Sequence, residues 1–429
     1  MTDSEFVIPM FRRWSASTFD ALQNRGYRTL WLGSMLAFVA FFMSTIAQSA
    51  VAFDLTGNNR DVGAVVFGQG IAMVLLAPFG GALADRMSKR MLLVVSQAVI
   101  GAVFFVTGVL IGLDAISILA LSVGSFVIGT MFSLLGPARQ AYVGYLVEAD
   151  RRGNAVALQQ VALNAGRVGG PFLAAALLAV PFIDATGTYL VMGVMYLAAM
   201  VTLALLPAAP SRAGGEGIGL MEDVLIGMRY VANNPRLRAL VLQFVFVMLA
   251  GFPFIAIMPA FVENSLGSDT STFGLLMGIM AIGGLIASLL VAQIADSTRA
   301  PQVIVAGCVG FGVSLILTGM APTVLIAAVA MFVVGLTSGA FQTLNNAVIV
   351  REASTEYYGR VMSLTMMAFA GFGVIALPIG FLADAVGERP TLIAMGIAVC
   401  IVTAIMASAT FRVLNDRQTF TEEATAAGS

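Results

Sequence analysis

Residues 80–90 read Gly-Gly-Ala-Leu-Ala-Asp-Arg-Met-Ser-Lys-Arg and lie between two long apolar segments. This short turn contains one acidic and three basic residues, namely Asp85, Arg86, Lys89 and Arg90. Burying these charges in hydrocarbon would be costly, so the turn must lie at a membrane surface. Each flanking segment is long enough to cross a bilayer. The stretch therefore predicts a chain that crosses the membrane more than once.

The composition of the whole chain agrees with this prediction. Hydrophobic residues make up 59% of the 429 positions and charged residues only 10%, and the mean hydropathy is +0.94. A soluble domain has about 25% charged residues, and this chain has too few to cover a water-facing surface. The apolar segments are continuous over about 20 residues and do not alternate, which argues against a β-barrel. The predicted fold class is therefore all-α integral membrane.

Twelve segments are long enough to be membrane-spanning helices. Basic residues concentrate on the cytoplasmic side of membrane proteins. With the N-terminus inside, Arg60 and Arg389 fall outside, Arg167 falls within a span, and the other 19 of the 22 basic residues fall inside. Both termini are therefore predicted to be cytoplasmic. The predicted spans are 29–54, 61–84, 90–112, 115–137, 154–180, 185–207, 238–262, 272–295, 302–320, 322–346, 359–383 and 390–411.

The two halves of the chain repeat each other. The matched residues are Gly63 with Gly274, Asp85 with Asp296, Gly153 with Gly359 and Pro171 with Pro378. Two pseudo-symmetric six-helix bundles are a known transporter plan, with the substrate site near the midplane between them. We therefore predict a cytoplasmic N-terminal arm at 1–28, bundles at 29–207 and 238–411, a cytoplasmic linker at 208–237 and a polar, loose cytoplasmic tail at 412–429.

The linker contains a helical pattern. Its apolar residues Met221, Val224, Leu225, Met228 and Val231 recur at helical spacing. This pattern predicts a short amphipathic helix on the inner membrane surface. A helix that binds a partner protein is the alternative.

Arg167 is the basic residue that is predicted within a span. If that span begins near residue 154, Arg167 lies about 20 Å along the helix, deep in a hydrocarbon layer about 30 Å thick. An arginine at that depth costs roughly 2.5–3.5 kcal/mol on insertion scales, so it must face the bundle interior. Gln160, Asn164, Arg167 and Pro171 share one helix face. Arg167 is therefore a candidate to contact substrate or to control the proton affinity of a carboxylate, and the alternative is that it binds backbone carbonyls at a kink.

Other polar residues are candidates for the same cavity or for proton coupling. Gln48, Gln342 and Asn345 lie within spans and add polar groups to a cavity that 24 methionines and 29 phenylalanines can make apolar and adaptable. Asp54 and Glu263 lie near the outer ends of the first and seventh spans, in repeat-related places. Either acid can load protons from outside, and the alternative is that both are solvated loop acids.

The sequence also argues against several other functions. The chain has no histidine, which excludes histidine-based catalysis and metal binding. Its net charge of −1 gives no footprint for nucleic acid. Cys308 and Cys400 fall in apolar segments and are expected to be small buried hydrophobes. With no nucleotide-binding loop and no catalytic triad, we expect neither an enzyme nor a cofactor or metal.

Two motifs resemble those of a known family. Gly81-x-Leu-Ala-Asp85-Arg86, followed by Lys89 and Arg90, resembles the loop signature of the major facilitator superfamily of secondary transporters. Gly166-xxx-Gly170-Pro171 resembles the fifth-helix antiporter motif of drug exporters in that superfamily, although the family has glycines at the positions of Ala174 and Ala175.

Three stretches of the sequence resemble one branch of the superfamily in particular. The stretches 137–140, 164–171 and 359–363 resemble drug and siderophore exporters, including macrolide-efflux and enterobactin-exporter-like proteins. The family's loop aspartate, here Asp85, steadies the outward-facing state by meeting the start of the eleventh helix and a nearby arginine, for which Arg139 is the candidate. Asp296 is the second-half counterpart of Asp85, but Ser297 follows it where arginine is expected, which implies an asymmetric gate.

These inferences converge on one expected function. We expect a monomeric transporter in a bacterial cytoplasmic membrane that exports amphipathic small molecules by alternating access and antiport with protons. A lysophospholipid or siderophore carrier on the same fold is one alternative. A membrane receptor or scaffold that transports nothing is another.

Overall fold

The computed structural model describes residues 20–86, 88–148, 151–180, 182–207, 220–291, 294, 297, 299–354 and 357–426. These residues form helices and short turns, without strands. After a 3-10 turn at Asp20–Gln23, the N-terminal half contains six helices. They are α1 (Arg25–Thr56), α2 (Asn59–Arg86), α3 (Lys89–Gly112), α4 (Ile118–Leu146), α5 (Arg152–Leu178) and α6 (Asp184–Ala204).

The C-terminal half follows a short helix, α7 (Leu220–Asn233), and contains seven helices for six spans. They are α8 (Pro235–Gly251), α9 (Phe254–Ala260), α10 (Thr270–Val291), α11 (Ala300–Met320), α12 (Val324–Glu352), α13 (Tyr358–Val386) and α14 (Glu388–Ala426). In the described part of the chain, ten helical segments are long and apolar enough to cross a membrane, and Ala370–Val386 of α13 is a shorter apolar segment. The 28-residue α2 occupies the remaining predicted span. The expected all-α membrane fold with two six-span bundles is confirmed.

The seventh span is broken, which the sequence analysis did not predict. Its first part, α8, ends at Gly251, and α9 begins after Pro253 and contains Pro259. Because proline lacks a backbone N–H and clashes with the preceding turn, it interrupts a continuous helix. A π-helical turn at Phe261–Ser265 then ends the span.

Several helices extend beyond the predicted spans. The fourth ends at Leu146, not at 137, and the tenth ends at Glu352, not at 346. The last helix continues to Ala426, so most of the segment predicted as a loose tail is helical. Hydropathy marks only the part of a helix inside the hydrocarbon, whereas backbone hydrogen bonding continues the helix into the polar regions.

We name the two membrane faces after the predicted orientation. The outer face carries the α1–α2 turn at 57–58 and the α13–α14 turn at 387. The inner face carries the end of α2 at Arg86 and the start of α3 at Lys89, and also the end of α12 at Glu352 and the start of α13 at Tyr358.

The two bundles pack together along two helix pairs, α2 with α13 and α5 with α10. A Cβ atom at Gly63 would lie 2.7 Å from the carbonyl oxygen of Ala376, and one at Gly274 would lie 2.7 Å from the Cβ of Ala175. Small residues permit such close approach of helices in lipid. The repeat-related glycines thus make equivalent contacts across the interface, and both contacts lie in the outer halves of the helices.

The linker helix α7 packs against the inner end of α13. The ring of Tyr230 stacks on that of Tyr357 with centroids 4.1 Å apart, and the Tyr230 hydroxyl accepts a hydrogen bond from the backbone N–H of Ser354 at 3.1 Å. On the other side of α7, Leu225 and Met228 are exposed. The helix therefore has one face on the bundle and an apolar face free to meet the membrane surface.

Candidate functional site

A cavity of about 150 Å³ lies between the two bundles at the depth of Arg167. Helices α1, α2 and α5 form one wall, and α10, α12, α13 and the α8–α9 region form the other. Both walls are largely apolar. The large apolar residues on them include Phe41, Phe42, Phe252, Phe372, Met277 and Met280.

Arg167 projects from α5 onto the wall of this cavity. Its Nη1 donates a hydrogen bond to Oε1 of Gln342, on α12 of the other bundle, at 3.4 Å. Its guanidinium carbon lies 5.8 Å from the centroid of the Phe42 ring, within the range of a cation–π interaction. Arg167 therefore joins the two bundles across the cavity.

The other polar groups on the described wall are neutral. Gln48 and Gln69 lie on it, and Oε1 of Gln48 accepts a hydrogen bond from the Ser125 hydroxyl at 2.9 Å. Among the wall residues that the structure describes, Arg167 is the one charged side chain. The cavity is thus an apolar chamber with one cation and several amides.

Only part of the predicted polar stripe on α5 meets the cavity. Arg167 and Pro171 line it, whereas Gln160 is exposed about two turns closer to the inner face. A stripe from i to i+11 is about 16 Å long, longer than the wall that α5 contributes. The side chain of Asn164 lies outside the described residues. Asn345 is buried behind the wall, where its Nδ2 donates to the carbonyl of Leu240 at 3.5 Å.

The two candidate acids lie at the outer face and away from the cavity. Asp54 lines a separate pocket of about 300 Å³ together with Asp114. Glu263 is exposed in the π-helical turn that ends the seventh span. The structure therefore does not bring either acid to Arg167.

The glycines of the fifth-helix motif pack within the N-terminal bundle. A Cβ atom at Gly166 would lie 2.8 Å from the backbone carbon of Phe38, and one at Gly170 would lie 2.8 Å from the carbonyl oxygen of Val39. They hold α5 tightly against α1. Of the three residues that define the motif, Pro171 lies on the cavity wall.

The inner loop is described in part. Arg90 donates through Nη2 to the carbonyl of Ala204, which ties α3 to α6, and Lys89 is the half-buried first residue of α3. Arg139 is buried, with its guanidinium carbon 4.4 Å from the Phe38 ring centroid. The side chains of Asp85 and Arg86, and the surroundings of Gly81 and Asp296, lie outside the described residues. The contact between Asp85 and Arg139 stays a prediction.

Two facing glycines close the gap between α2 and α13 at the cavity. A Cβ atom at Gly70 of α2 would lie 2.7 Å from the Cα of Gly373 on α13, and one at Gly373 would lie 2.8 Å from the Cα of Gly70. Both residues also line the cavity. The helices therefore touch backbone to backbone along the wall of the chamber.

A hydrogen-bond network at the outer face strengthens this closure. The Asp384 carboxylate, at the end of α13, accepts from the backbone N–H groups of Asn59 at 2.9 Å and Arg60 at 3.1 Å. The Asn59 side chain also donates to Glu388 at 3.1 Å. A carboxylate at a helix N-terminus satisfies unpaired N–H groups and meets the positive end of the helix dipole. One bundle thus caps a helix of the other, and we call these four residues the outer latch.

The sequence analysis missed the outer latch. Asp384 and Glu388 are four residues apart at the end of the eleventh span, with Gly387 between them at φ +94°. Two acids beside a glycine turn at a helix end were a sequence signal for a capping or gating site. The partners of Asp384 are backbone N–H groups 325 and 324 residues away in the chain, and no pattern of side chains reveals such a contact.

Removing the Asp384 carboxylate is expected to open the outer face. In Asp384→Ala, α2 loses two hydrogen bonds to a charged group, each usually contributing about 1.5–3 kcal/mol. Because Asp384 is exposed, solvent competes for both bonds, and we take about 1.5 kcal/mol for the two together, which corresponds to roughly a tenfold larger open population. The measurement is labelling of Met277→Cys, on the cavity wall, by a membrane-impermeant maleimide added outside, in a background lacking Cys308 and Cys400.

Asp61→Ala is the matched control for this experiment. Like Asp384, Asp61 has a carboxylate near the N-terminus of α2. Asp61 lies in the first turn of α2 itself, however, and its carboxylate accepts a hydrogen bond from Asn58 of the same bundle. We expect no change of labelling in the control. Equal labelling of the Asp384→Ala variant and of the protein with an intact outer latch would contradict the gating role of Asp384.

The chain matches known proteins over most of its length. The model of the Major Facilitator Superfamily matches residues 30–376. The chain is 24% identical over 376 residues to the Staphyloferrin A transporter of Staphylococcus aureus, covering 87% of this chain and 93% of that protein. It is 23% identical over 366 residues to Macrolide efflux protein A of Streptococcus pyogenes, covering 84% of this chain and 88% of that protein.

Solved structures show the same fold. A bacterial homolog of the human lysosomal transporter Spinster, in an inward-facing and unoccupied conformation, superposes with a TM-score of 0.73 at 14% identity, covering 91% of this chain and 98% of that one. The nucleoside transporter NupG superposes with a TM-score of 0.70 at 14% identity, covering 90% and 99%. The resemblance that the loop and fifth-helix motifs indicated is confirmed, and the chain belongs to the major facilitator superfamily of membrane transporters.

Proposed function

We propose that this protein exports amphipathic small molecules through the central cavity by alternating access, in exchange for protons. The observation that carries the proposal is the chamber itself, which lies between the bundles and combines aromatic and methionine walls with Arg167 and several amides. Such a surface suits molecules with a ring or chain and one polar group. We further propose that it acts as a monomer in a bacterial cytoplasmic membrane, with both termini cytoplasmic.

The proposed cycle follows from the contacts that join the bundles. Opening to the outside requires the outer latch to release and Gly70 to separate from Gly373. The hydrogen bond between Arg167 and Gln342 lies at the centre, so it must adjust as the bundles rock. Closure of the inner face would then depend on the Asp85 loop and the start of α13, as the family resemblance implies.

We propose that the protons bind to acids that lie apart from the residues that bind the cargo. No carboxylate is found among the described wall residues, so the proton and the cargo do not share a group there. Asp54 and Glu263, at the outer face, are the candidates to load protons from outside. If both are only solvated loop acids, their neutral variants will transport normally under a pH gradient.

A siderophore is the second candidate cargo. One relative, at 24% identity, is named as a transporter of staphyloferrin A. That likeness supports a cargo with many polar groups, whereas the apolar walls favour a lipophilic one. We therefore place the siderophore second.

Reconstitution separates the parts of this proposal. Proteoliposomes are loaded with an anionic dye, 8-anilinonaphthalene-1-sulfonate, or a cationic dye, rhodamine 6G, and release is followed with and without a pH gradient. Faster release of either dye than from protein-free vesicles supports transport. Release without any response to pH would remove proton coupling and keep transport, and no protein-dependent release of either dye would contradict export.

Asp85→Asn is expected to shift the protein toward the inward-open state. The neutral amide interacts less well than a carboxylate with the positive N-terminus of α13, which the resemblance gives as its partner. The expected result is more labelling of a cavity cysteine from the inner face and less from the outer face. Asp296→Asn, the repeat-related change, serves as the control and is expected to have the smaller effect. Unchanged labelling on both faces would contradict this role of Asp85.

A further inference from the structure

We propose that the cargo of the central cavity is an amphipathic anion, whose negative group binds Arg167 and whose apolar part lies against the aromatic and methionine walls. This inference rests on the proposed export function and names the chemical class of what is exported. It starts from the charge of the chamber. Arginine is always protonated in proteins, and the described wall offers this cation together with neutral amides.

The depth of Arg167 makes an anion the favourable ligand. A charge in the middle of the membrane is poorly solvated, and electrostatic interactions strengthen as the local dielectric constant falls. An anionic cargo would therefore offset the cost of holding the guanidinium there. A cationic cargo would add a second positive charge to the same small space.

Gln342 shows where the anion binds. Its Oε1 accepts from Nη1 of Arg167 at 3.4 Å, which is long for a charge-assisted hydrogen bond. A carboxylate, sulfonate or phosphate oxygen at this position would bind the guanidinium more strongly than an amide oxygen does. Because Gln342 belongs to the opposite bundle, replacing its oxygen with that of the cargo would also release a contact between the two halves. Cargo binding and rocking are thereby coupled.

The apolar part of the cargo is positioned by the same arginine. The Arg167 guanidinium lies against the Phe42 ring, and Phe41, Phe252 and Met277 continue the apolar wall. A cavity of about 150 Å³ resembles in size an engineered apolar cavity that accepts benzene. With the outer face closed as in this structure, the chamber accepts one ring system, and longer cargo requires the bundles to separate.

Three naphthalene probes of equal ring size test the inference. They are naphthalene-1-sulfonate, naphthalene-1-methanol and naphthalen-1-ylmethylammonium, and binding to the purified full chain is measured from the concentration dependence of its thermal unfolding midpoint. We expect the anion to bind at least about tenfold more tightly than the neutral and cationic probes, which corresponds to about 1.4 kcal/mol. Equal or weaker binding of the anion would overturn the proposal.

Variants assign the preference to Arg167. Arg167→Gln is expected to lose the preference for the anion, and Arg167→Lys to keep part of it. Arg152→Gln, on the exposed inner end of the same helix, is the matched control and should bind like the unsubstituted protein. Retained preference in a folded Arg167→Gln protein would overturn the assignment.

Gln342→Glu provides a test that keeps the arginine in place. The change is nearly isosteric and puts a carboxylate beside Arg167, so it should compete with the anionic probe and weaken its binding about tenfold or more. Unweakened binding of the anion would overturn the proposal. If rhodamine 6G is released from vesicles while the anion shows no preference, export stands and this inference fails. If the anion binds as expected but neither dye is released, the inference stands and export fails.

Discussion

Gly373→Leu is expected to abolish transport in a protein that still inserts and folds. Any side chain at this position would meet the Cα of Gly70 at 2.8 Å and the carbonyl oxygen of Val66 at 3.0 Å, both rigid backbone atoms of the opposite bundle. The helices cannot both keep their positions, so the outer halves of α2 and α13 must separate. The chamber would then stay open to the outer face, and the protein could no longer complete its transport cycle.

Transport and labelling together check this prediction. Dye release from proteoliposomes should fall to the level of protein-free vesicles, and outside labelling of Met277→Cys should rise. Gly371→Leu is the control on the same helix, because a Cβ there would meet only the flexible Cδ2 of Leu249 at 2.9 Å. Normal transport by Gly373→Leu would show that close contact of the two glycines is not needed for the cycle.

The outer latch and the predicted inner contact use the same pair of helices in opposite directions. At the outer face, a carboxylate at the end of α13 caps the N-terminus of α2. At the inner face, the resemblance implies that Asp85, at the end of α2, meets the N-terminus of α13. The two caps cannot both hold while the bundles rock, so breaking one would favour the other. The balance between them would set the resting state of the carrier.

The architecture could be predicted from the sequence because it depends on local composition. Continuous apolar segments give the spans. The uneven distribution of basic residues predicts which ends of the helices face the cytoplasm, and this orientation stays a prediction. The repeat also carried information about contacts. Gly63 and Gly274 were matched only by spacing, and in the structure each lies against the opposite bundle.

The details of the site were harder to predict because they depend on contacts between distant segments. Arg167 could be identified from its depth, and it lies on the cavity wall. Nothing in the local sequence of Gln342 distinguishes it as the partner of Arg167, or Asn345 as a residue behind the wall. The break at Pro253 could have been read from the sequence, since two prolines within one apolar segment oppose a continuous helix.

Arg167→Ala is expected to have the other large effect, loss of transport with insertion and folding preserved. The change removes the cation of the described cavity wall and its hydrogen bond to Gln342 across the bundles. Because alanine is small and apolar, it relieves the cost of roughly 2.5–3.5 kcal/mol for arginine at this depth, so the protein should not become less stable through loss of the charge itself. Dye release and the thermal unfolding midpoint are the two measurements.

The paired readouts separate a role in transport from a structural role. If Arg167 only holds backbone carbonyls at the bend near Pro171, Arg167→Ala should lower the unfolding midpoint, and Arg167→Lys should restore both stability and transport together. If it binds cargo, stability should persist while transport is lost, and lysine should restore transport only in part because it lacks the planar guanidinium. Arg152→Ala, at the inner end of α5, should leave both measurements unchanged. Transport at the unsubstituted rate by Arg167→Ala would show that the cavity carries its cargo without this charge, and the central role assigned to Arg167 would be wrong.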